Sequence, residues 1–90
     1  MQRIDEKTLL LRNILGNIIK QYRTKTGLSG NKFAAEYDIG NGNLSRIENA
    51  NVDCKFITLW RIAEALDMKP SELVKLIEDK VGTKFKLIDE

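Results

Sequence analysis

Apolar residues recur three or four positions apart along most of this chain, which is the spacing of one buried face of an α-helix. The first such run contains Leu11, Ile14, Leu15, Ile18 and Tyr22. It predicts a first helix from about Asp5 or Thr8 to Thr26. Gly27 ends this helix, because glycine is a common residue just past a helix terminus. The alternation of apolar and polar residues that indicates a strand is almost absent, so the pattern predicts a helical fold.

Three more helices follow from the same spacing and from the residues at their ends. Ser29 is a good N-cap for a second helix over 30–37, because its hydroxyl can accept a hydrogen bond from an unpaired backbone N–H. A further apolar run predicts a fourth helix over 56–66. Pro70 suits the first position of a fifth helix, since the N–H it lacks would be unpaired there anyway. Gly82 ends that fifth helix.

The third helix, over 39–48, has the weakest pattern of the five. Leu44 and Ile47 are three residues apart, as on one helical face, but Asn41-Gly42 taken alone is typical of a hairpin turn. The residues on both sides of that dipeptide lack the alternating pattern of strands, which disfavours a hairpin. Inside a helix, Gly40 and Gly42 each make the free energy of helix formation about 1 kcal/mol less favourable than alanine would. We therefore expect a short helix whose first turn frays without a partner.

Length and composition limit the functions open to such a chain. The 90 residues are 42% apolar and 31% charged, which predicts one globular domain over 1–90, with a core over about 8–81. The tail over 82–90 alternates briefly, so it is either a short strand or an ordered arm for packing or dimerisation. There is no histidine, and Cys54 is the only cysteine. We therefore expect no enzyme, no cofactor and no metal site.

The ends and the apolar runs of the chain bear on where it acts. The N-terminal residues lack the apolar core of a signal peptide. No apolar run exceeds three residues, so no membrane span is expected. A single cysteine suits a reducing compartment. These features predict a cytoplasmic protein.

Basic residues are concentrated in the first half of the chain. Lys and Arg number 15 and Asp and Glu number 13, a net charge of only +2, yet no acidic residue lies between Glu6 and Glu36. The basic residues in that interval are Lys7, Arg12, Lys20, Arg23, Lys25 and Lys32. A basic run is usually a solvated helix face, but it is also the electrostatic footprint expected for phosphate binding. The positions of these residues in the sequence do not distinguish a solvated helix face from a phosphate-binding surface.

One set of short motifs extends over about two-thirds of the chain. The motifs are Gly27-Leu28-Ser29, Phe33-Ala34, Ile39, Leu44-Ser45-Arg46-Ile47-Glu48-Asn49, residues 58–66 and Pro70-Ser71-Glu72-Leu73. Between positions 15 and 76 they resemble the Cro/phage-repressor helix-turn-helix family, also called XRE-like regulators. The resemblance implies an all-α, compact five-helix bundle of the lambda-repressor type, with a helix-turn-helix and short terminal extensions.

The resemblance also implies roles for individual residues. In the family the third helix lies in the major groove with its first residues at base edges. The base-contacting residues implied here are Asn41, Gly42, Asn43 and Arg46. Phosphate contacts are implied for Ser29, Asn31, Lys32, Asn49 and Lys55. Arg23 and Glu48 match a pair that ties the first helix to the third.

Two residues depart from the family pattern. Gly30 stands where most members carry a glutamine that braces a phosphate. Asp38 replaces the turn glycine and places an acid near the expected DNA face. Gly40 and Gly42 further reduce the side chains able to read bases. More of the affinity would then come from phosphate contacts or DNA shape.

Two classes of function remain open from the sequence. The first is a sequence-specific transcriptional regulator of repressor type, acting as a homodimer on a two-fold site in double-stranded DNA. The second is a helical protein-interaction module, or an antitoxin-like partner, with the same fold and weak or no DNA recognition. Trp60 is a candidate core or dimer contact. Apolar residues outside the core are candidates for joining two copies or packing on each other: Ile4, Phe85, Leu87 and Ile88.

Overall fold

The computed structural model describes residues 5–88, which form five helices and no strand. The helices are α1 (Glu6–Lys25), α2 (Gly30–Glu36), α3 (Asn41–Glu48), α4 (Phe56–Ala65) and α5 (Pro70–Val81). The predicted all-α bundle of five helices is confirmed. Each predicted helix is present, with bounds that differ from the prediction by at most two residues.

Local hydrogen bonds account for where three of the helices begin. Asp5 caps α1, because its Oδ1 accepts from the backbone N–H of Thr8 at 2.8 Å. Ser29 caps α2 as predicted, its Oγ accepting from the backbone N–H of Lys32 at 3.2 Å. At the start of α5, the Glu72 carboxylate accepts from the backbone N–H of Lys69 at 2.9 Å. These short-range bonds satisfy N–H groups that a helix leaves unpaired at its start.

Three helices end on a non-glycine residue in the left-handed conformation. Asp38, Ala50 and Asp67 follow α2, α3 and α4 with φ angles of 55°, 62° and 60°. In each case the next N–H donates to a carbonyl five residues earlier: Ile39 to Ala34 at 2.8 Å, Asn51 to Arg46 at 2.8 Å and Met68 to Ala63 at 2.9 Å. Such bonds satisfy the last carbonyls of a helix and reverse the chain sharply. The connection between α2 and α3 is therefore a tight turn.

The core lies between α1 and the helix-turn-helix formed by α2 and α3, with α4 and α5 closing it. The largest side chains exposed by no more than 1% are Ile19, Phe33, Leu44, Ile47, Ile62 and Leu73. Ile19 belongs to the cluster shared with α2, α3 and α4, whereas Ile18 packs with Ala63 and Leu73. α1 thus contributes to both halves of the core.

A glycine in α1 sets the position of α3. A Cβ placed on Gly16 would lie 2.5 Å from the carbonyl oxygen of Glu48 and 2.7 Å from that of Ile47. No side chain fits at such distances, so the backbones of α1 and the last turn of α3 touch directly. Glycine is required here by close approach. The spacing of apolar residues did not predict this contact.

Two boundary predictions need correction. The third helix begins at Asn41 and not at 39, because Ile39 is buried in the turn and Gly40 is the N-cap. The described part of the tail, 82–88, contains no strand. Phe85 is half-buried, whereas Leu87 and Ile88 are 49% and 80% exposed. Ile4 lies outside the described residues. Between 5 and 88, no helix has the length and apolar character needed to cross a bilayer.

Candidate nucleic-acid interface

α3 turns one polar face to solvent. Its exposed residues and the C-cap Asn49 form what we call the α3 stripe: Asn41, Gly42, Ser45, Arg46 and Asn49. Leu44 and Ile47, on the opposite side, anchor the helix in the core. Three of the four predicted base-contacting residues thus lie on one face. Ser45 was not predicted, although its position one turn after Asn41 would have indicated it.

Arg46 folds back toward the start of α3 over Gly42. A Cβ on that glycine would lie 3.3 Å from Nη1 and 3.8 Å from Nη2 of Arg46. The missing side chain at 42 therefore leaves space for the guanidinium near the N-terminal half of the helix. Among residues 5–88, no acid forms a salt bridge with Arg46. Its planar set of donors suits the two acceptors of a guanine edge.

Asn43 lies apart from the other predicted base-contacting residues. It is half-buried and lines a cavity of about 230 Å³ with Asp38, Gly40, Ile57 and Arg61 among others. The side of α3 that carries Asn43 therefore faces α4. This places its amide at the rim of the α3 stripe, where the helix meets the start of α4.

The first turn of α3 has no side-chain cap. Gly40 occupies the N-cap position, and no side chain accepts a hydrogen bond there. The first N–H groups of a helix need an external partner, and the helix dipole favours an anion at that end. The start of α3 is therefore suited to a phosphate or a base acceptor supplied from outside.

The five predicted phosphate-contacting residues lie at helix ends, and all are exposed. They are Ser29, Asn31 and Lys32 at the start of α2, Asn49 at the end of α3, and Lys55 just before α4. The Nδ2 group of Asn49 donates to the carbonyl of Ser45 at 2.8 Å, which orients this amide on the α3 stripe. Lys32 and Lys55 bring positive charge to the two segments that flank α3 in the sequence.

Arg23 and Glu48 form a bidentate ion pair between α1 and α3. The Nε and Nη2 groups of Arg23 donate to the two carboxylate oxygens at 2.7 and 2.9 Å. Nη1 of Arg23 also donates to the carbonyl of Leu28 at 3.0 Å. Only 12% and 9% of the two side chains are exposed. The hydrogen bonds that Arg23 donates to the Glu48 carboxylate raise the pKa of Arg23 above its ordinary value despite burial.

No acidic residue lies between Glu6 and Glu36 in the sequence, but acidic residues from later in the chain contact this interval in the fold. Arg12 donates to Asp53 at 2.8 Å, and Arg23 pairs with Glu48. Lys25 lies over the Tyr22 ring, 4.6 Å from its centroid. At least two of the six basic residues are thus paired with acids from the connection after α3 or from α3 itself. The basic residues of this interval therefore do not all contribute free positive charge to one phosphate-binding surface.

Arg61 of α4 holds the turn between α2 and α3. Its Nη1 group donates to the carbonyl of Asp38 at 2.9 Å and to the carboxylate of the same residue at 3.1 Å. The acid that stands in place of the family's turn glycine is therefore paired. This contact joins residues 23 positions apart, and no local pattern in the sequence indicated it.

Cys54 lies in the connection between α3 and α4. Burial raises the pKa of its thiol to about 11, so the group is protonated and weakly nucleophilic near neutral pH. Within the described part of the chain, no three Cys, Asp or Glu residues are grouped closely enough to hold a metal ion.

The chain matches a known protein family. A model of a helix-turn-helix family matches residues 19–73. The matched range contains all of α2, α3 and α4, and it covers more than half of the 90 residues. No curated protein and no solved structure matches the chain.

Proposed function

Since the chain belongs to the Cro/phage-repressor-like (XRE-like) helix-turn-helix family, we propose that it is a sequence-specific transcriptional regulator of the repressor type that reads double-stranded DNA with α3. The family's general function is DNA binding and transcription regulation. The observation that carries the proposal is the α3 stripe, which offers amides, a hydroxyl and a guanidinium that has no acid partner among residues 5–88, all on one exposed face. Their chemistry suits the edges of bases in the major groove.

Direct readout is assigned to the N-terminal half of α3 and to Arg46. Asn41 can bond an adenine edge, and Arg46 can bond a guanine edge. Gly42 lets the backbone of the helix come close to the DNA. Asn43 reads from the rim of the stripe, on the side of α4.

Phosphate contacts would fix the position of α3 in the groove. They are assigned to Ser29, Asn31 and Lys32 at the start of α2, and to Asn49 and Lys55 after α3. The whole of 1–90 would act as one domain in the cytoplasm, without catalysis. A homodimer would bind half-sites one helical turn apart, about 34–36 Å.

Selection from a random duplex library tests this function directly. We expect the enriched sequences to share a palindrome, and we expect log K to fall steeply with log salt concentration because several phosphates are neutralised. Binding that is absent at low salt would contradict the proposal.

Arg46→Ala tests the assigned role of the guanidinium. We expect a loss of about 1–3 kcal/mol in binding to the selected site, with relaxed preference at one base pair and an unchanged melting temperature. Arg46→Lys is the matched control, because lysine keeps the charge but not the bidentate geometry. If lysine restores binding fully, or if alanine weakens all sequences equally, Arg46 contacts phosphate and does not read a base.

A protein-interaction module remains the second candidate. Apolar side chains on α4 favour it, because Phe56, Ile57 and Trp60 are 66%, 66% and 46% exposed. Gly30, which stands where the family resemblance implies a phosphate-bracing glutamine, also favours this alternative. Salt-independent or undetectable DNA binding would support this alternative.

A further inference from the structure

Three lysines line one cavity between α1 and α5, which we call the basic cavity. Its volume is about 740 Å³, and the lysines are Lys20, Lys25 and Lys80. Among the described residues no acid lines it, and within 5–88 no salt bridge involves any of the three lysines. The volume is in the range of about 300–1,000 Å³ typical of sites for small ligands. The charge of this cavity favours an anion.

The basic cavity collects positive charge that the contacts assigned to DNA do not use. Lys20 and Lys25 come from the interval of the sequence without acids, whose two arginines are paired with acids in the fold. Lys80 adds a third charge from α5. Like charges brought together without an acid repel one another. An anion bound among them would remove that repulsion.

A second cavity, of about 650 Å³, adjoins the basic cavity at Tyr22, which lines both. We call it the apolar cavity, because Leu66, Met68 and Leu76 line it together with Tyr22. The Nζ group of Lys25 lies over the Tyr22 ring, 4.6 Å from its centroid. An ammonium group therefore stands beside the boundary between the two cavities. One ligand with an anionic head and an apolar tail would match both.

The charged residues of the apolar cavity leave no second site for an anionic head. Lys75 donates to Asp79 at 2.8 Å, so the lysine of this cavity is already paired. Glu72 accepts from the backbone N–H of Lys69 at 2.9 Å, and Asp67 is exposed. The apolar cavity thus offers contacts for a tail, and the cations for a head lie in the basic cavity.

The basic cavity lies on the other side of α1 from α3. Gly16 and Arg23 of α1 contact α3. Successive residues of an α-helix are about 100° apart around its axis, so Lys25 is about 180° from Gly16 and about 160° from Arg23. A ligand among the lysines would therefore leave the α3 stripe accessible to DNA.

We propose that the two cavities together bind one small amphiphilic anion, with a single anionic head and an acyl tail. The head lies among Lys20, Lys25 and Lys80, and the tail passes Tyr22 into the apolar cavity. This site goes beyond the proposed function, because it gives the chain a ligand that DNA binding does not require.

Isothermal titration of the full chain without DNA tests the site. Decanoate and decyl phosphate, each below its micellar concentration, are the probes, because they carry similar tails on the two common anionic heads. The tighter of the two identifies the head. We expect one molecule per chain, bound at least ~10-fold more tightly than butanoate or decanol. Burial of about two of the extra methylene groups of decanoate gives this factor over butanoate.

Charge reversals locate the head group. Lys25→Glu and Lys80→Glu should each raise the dissociation constant of decanoate at least ~10-fold, because a carboxylate then faces the anionic head. Lys84→Glu is the matched control, since it makes the same change of charge in the tail and lines neither cavity. It should change the constant less than ~2-fold. All three lysines are exposed, so circular dichroism should show equal helix content in the three variants.

Three results would overturn the proposal. Decanol binding as tightly as decanoate would show that the lysines hold no head group. Equal effects of Lys25→Glu, Lys80→Glu and Lys84→Glu would show that net charge, and not this site, controls binding. Hexaglutamate binding more tightly than both amphiphiles, and displaced by neither, would assign the basic cavity to an acidic segment of a protein partner.

Discussion

The two ends of α3 differ in how they are held. At its C-terminal end, Gly16 lets α1 touch the backbone, Glu48 is clamped by Arg23, and Asn51 donates back to the helix at 2.8 Å. At its N-terminal end, Gly40 supplies no cap and Asn41 is exposed. The helix is anchored at one end and open at the other.

Within the eight residues of α3, the C-terminal end is held by contacts that stabilise the fold, whereas the N-terminal end carries residues proposed to read DNA. Glu48 and Arg46 are two positions apart, yet one carboxylate is 9% exposed and paired, whereas the guanidinium of the other has no acid partner among residues 5–88. Asn41 and Arg46, which are proposed to read DNA, are exposed and lie outside the core. Substitutions at the two ends should therefore affect different measurements.

Glu48→Ala should have the largest effect. It leaves the Arg23 guanidinium largely buried without its partner, which should lower the free energy of unfolding by about 3 kcal/mol. Chemical denaturation measures this. Asp79→Ala is the control, because its pair with Lys75 is exposed on both sides and should matter by less than ~0.5 kcal/mol. Equal losses of stability in the two variants would show that the ion pair of Arg23 and Glu48 does not stabilise the fold.

Gly16→Ala should have the second largest effect on the free energy of unfolding. The new methyl group would meet the Glu48 carbonyl oxygen at 2.5 Å, and backbone atoms in a packed core yield little. We expect a loss of about 2 kcal/mol, since overpacking outweighs the better helix propensity of alanine. The thermal midpoint should fall accordingly. An unchanged midpoint would mean that α1 and α3 can separate without cost.

Gly42→Ala makes the same substitution at the open end of α3, and it should raise the free energy of unfolding instead of lowering it. The nearest atom to a methyl group at 42 is the flexible end of Arg46, at 3.3 Å, which can move aside. Helix propensity should then raise stability by about 0.5–1 kcal/mol. Denaturation of both alanine variants side by side checks the contrast. A loss at Gly42 would show that the open end is packed more tightly than its exposure suggests.

Asp38→Gly should have the smallest effect, because two contributions oppose each other. Glycine relieves the left-handed conformation at φ 55°, but the exposed pair with Arg61 is lost, and each is worth at most about 1 kcal/mol. We expect a net change below ~0.5 kcal/mol. Asp67→Gly is the control, at φ 60°, and should gain about 0.5–1 kcal/mol. Equal gains in both would mean that Arg61 does not stabilise the turn.

Local rules predicted the helices well because their causes are local. The spacing of Ile14, Ile18 and Tyr22, the hydroxyl of Ser29 and the ring of Pro70 each act within one or two turns. The pair of Arg23 and Glu48 joins residues 25 positions apart, and only the family resemblance indicated it. The start of α3 was misplaced because Ile39 has the apolar character of a helix residue but is buried in the turn.

The sequence by itself determined the five helices, the tight turn between α2 and α3, and the helix-turn-helix family. Only the tertiary structure decided that Gly16 sets the crossing of α1 and α3, that Arg61 pairs with Asp38, and that Asn43 faces α4. The physical reason is distance along the chain. Helix spacing and capping act between near neighbours, whereas backbone contact, ion pairing and exposure of these residues depend on segments brought together only when the core forms.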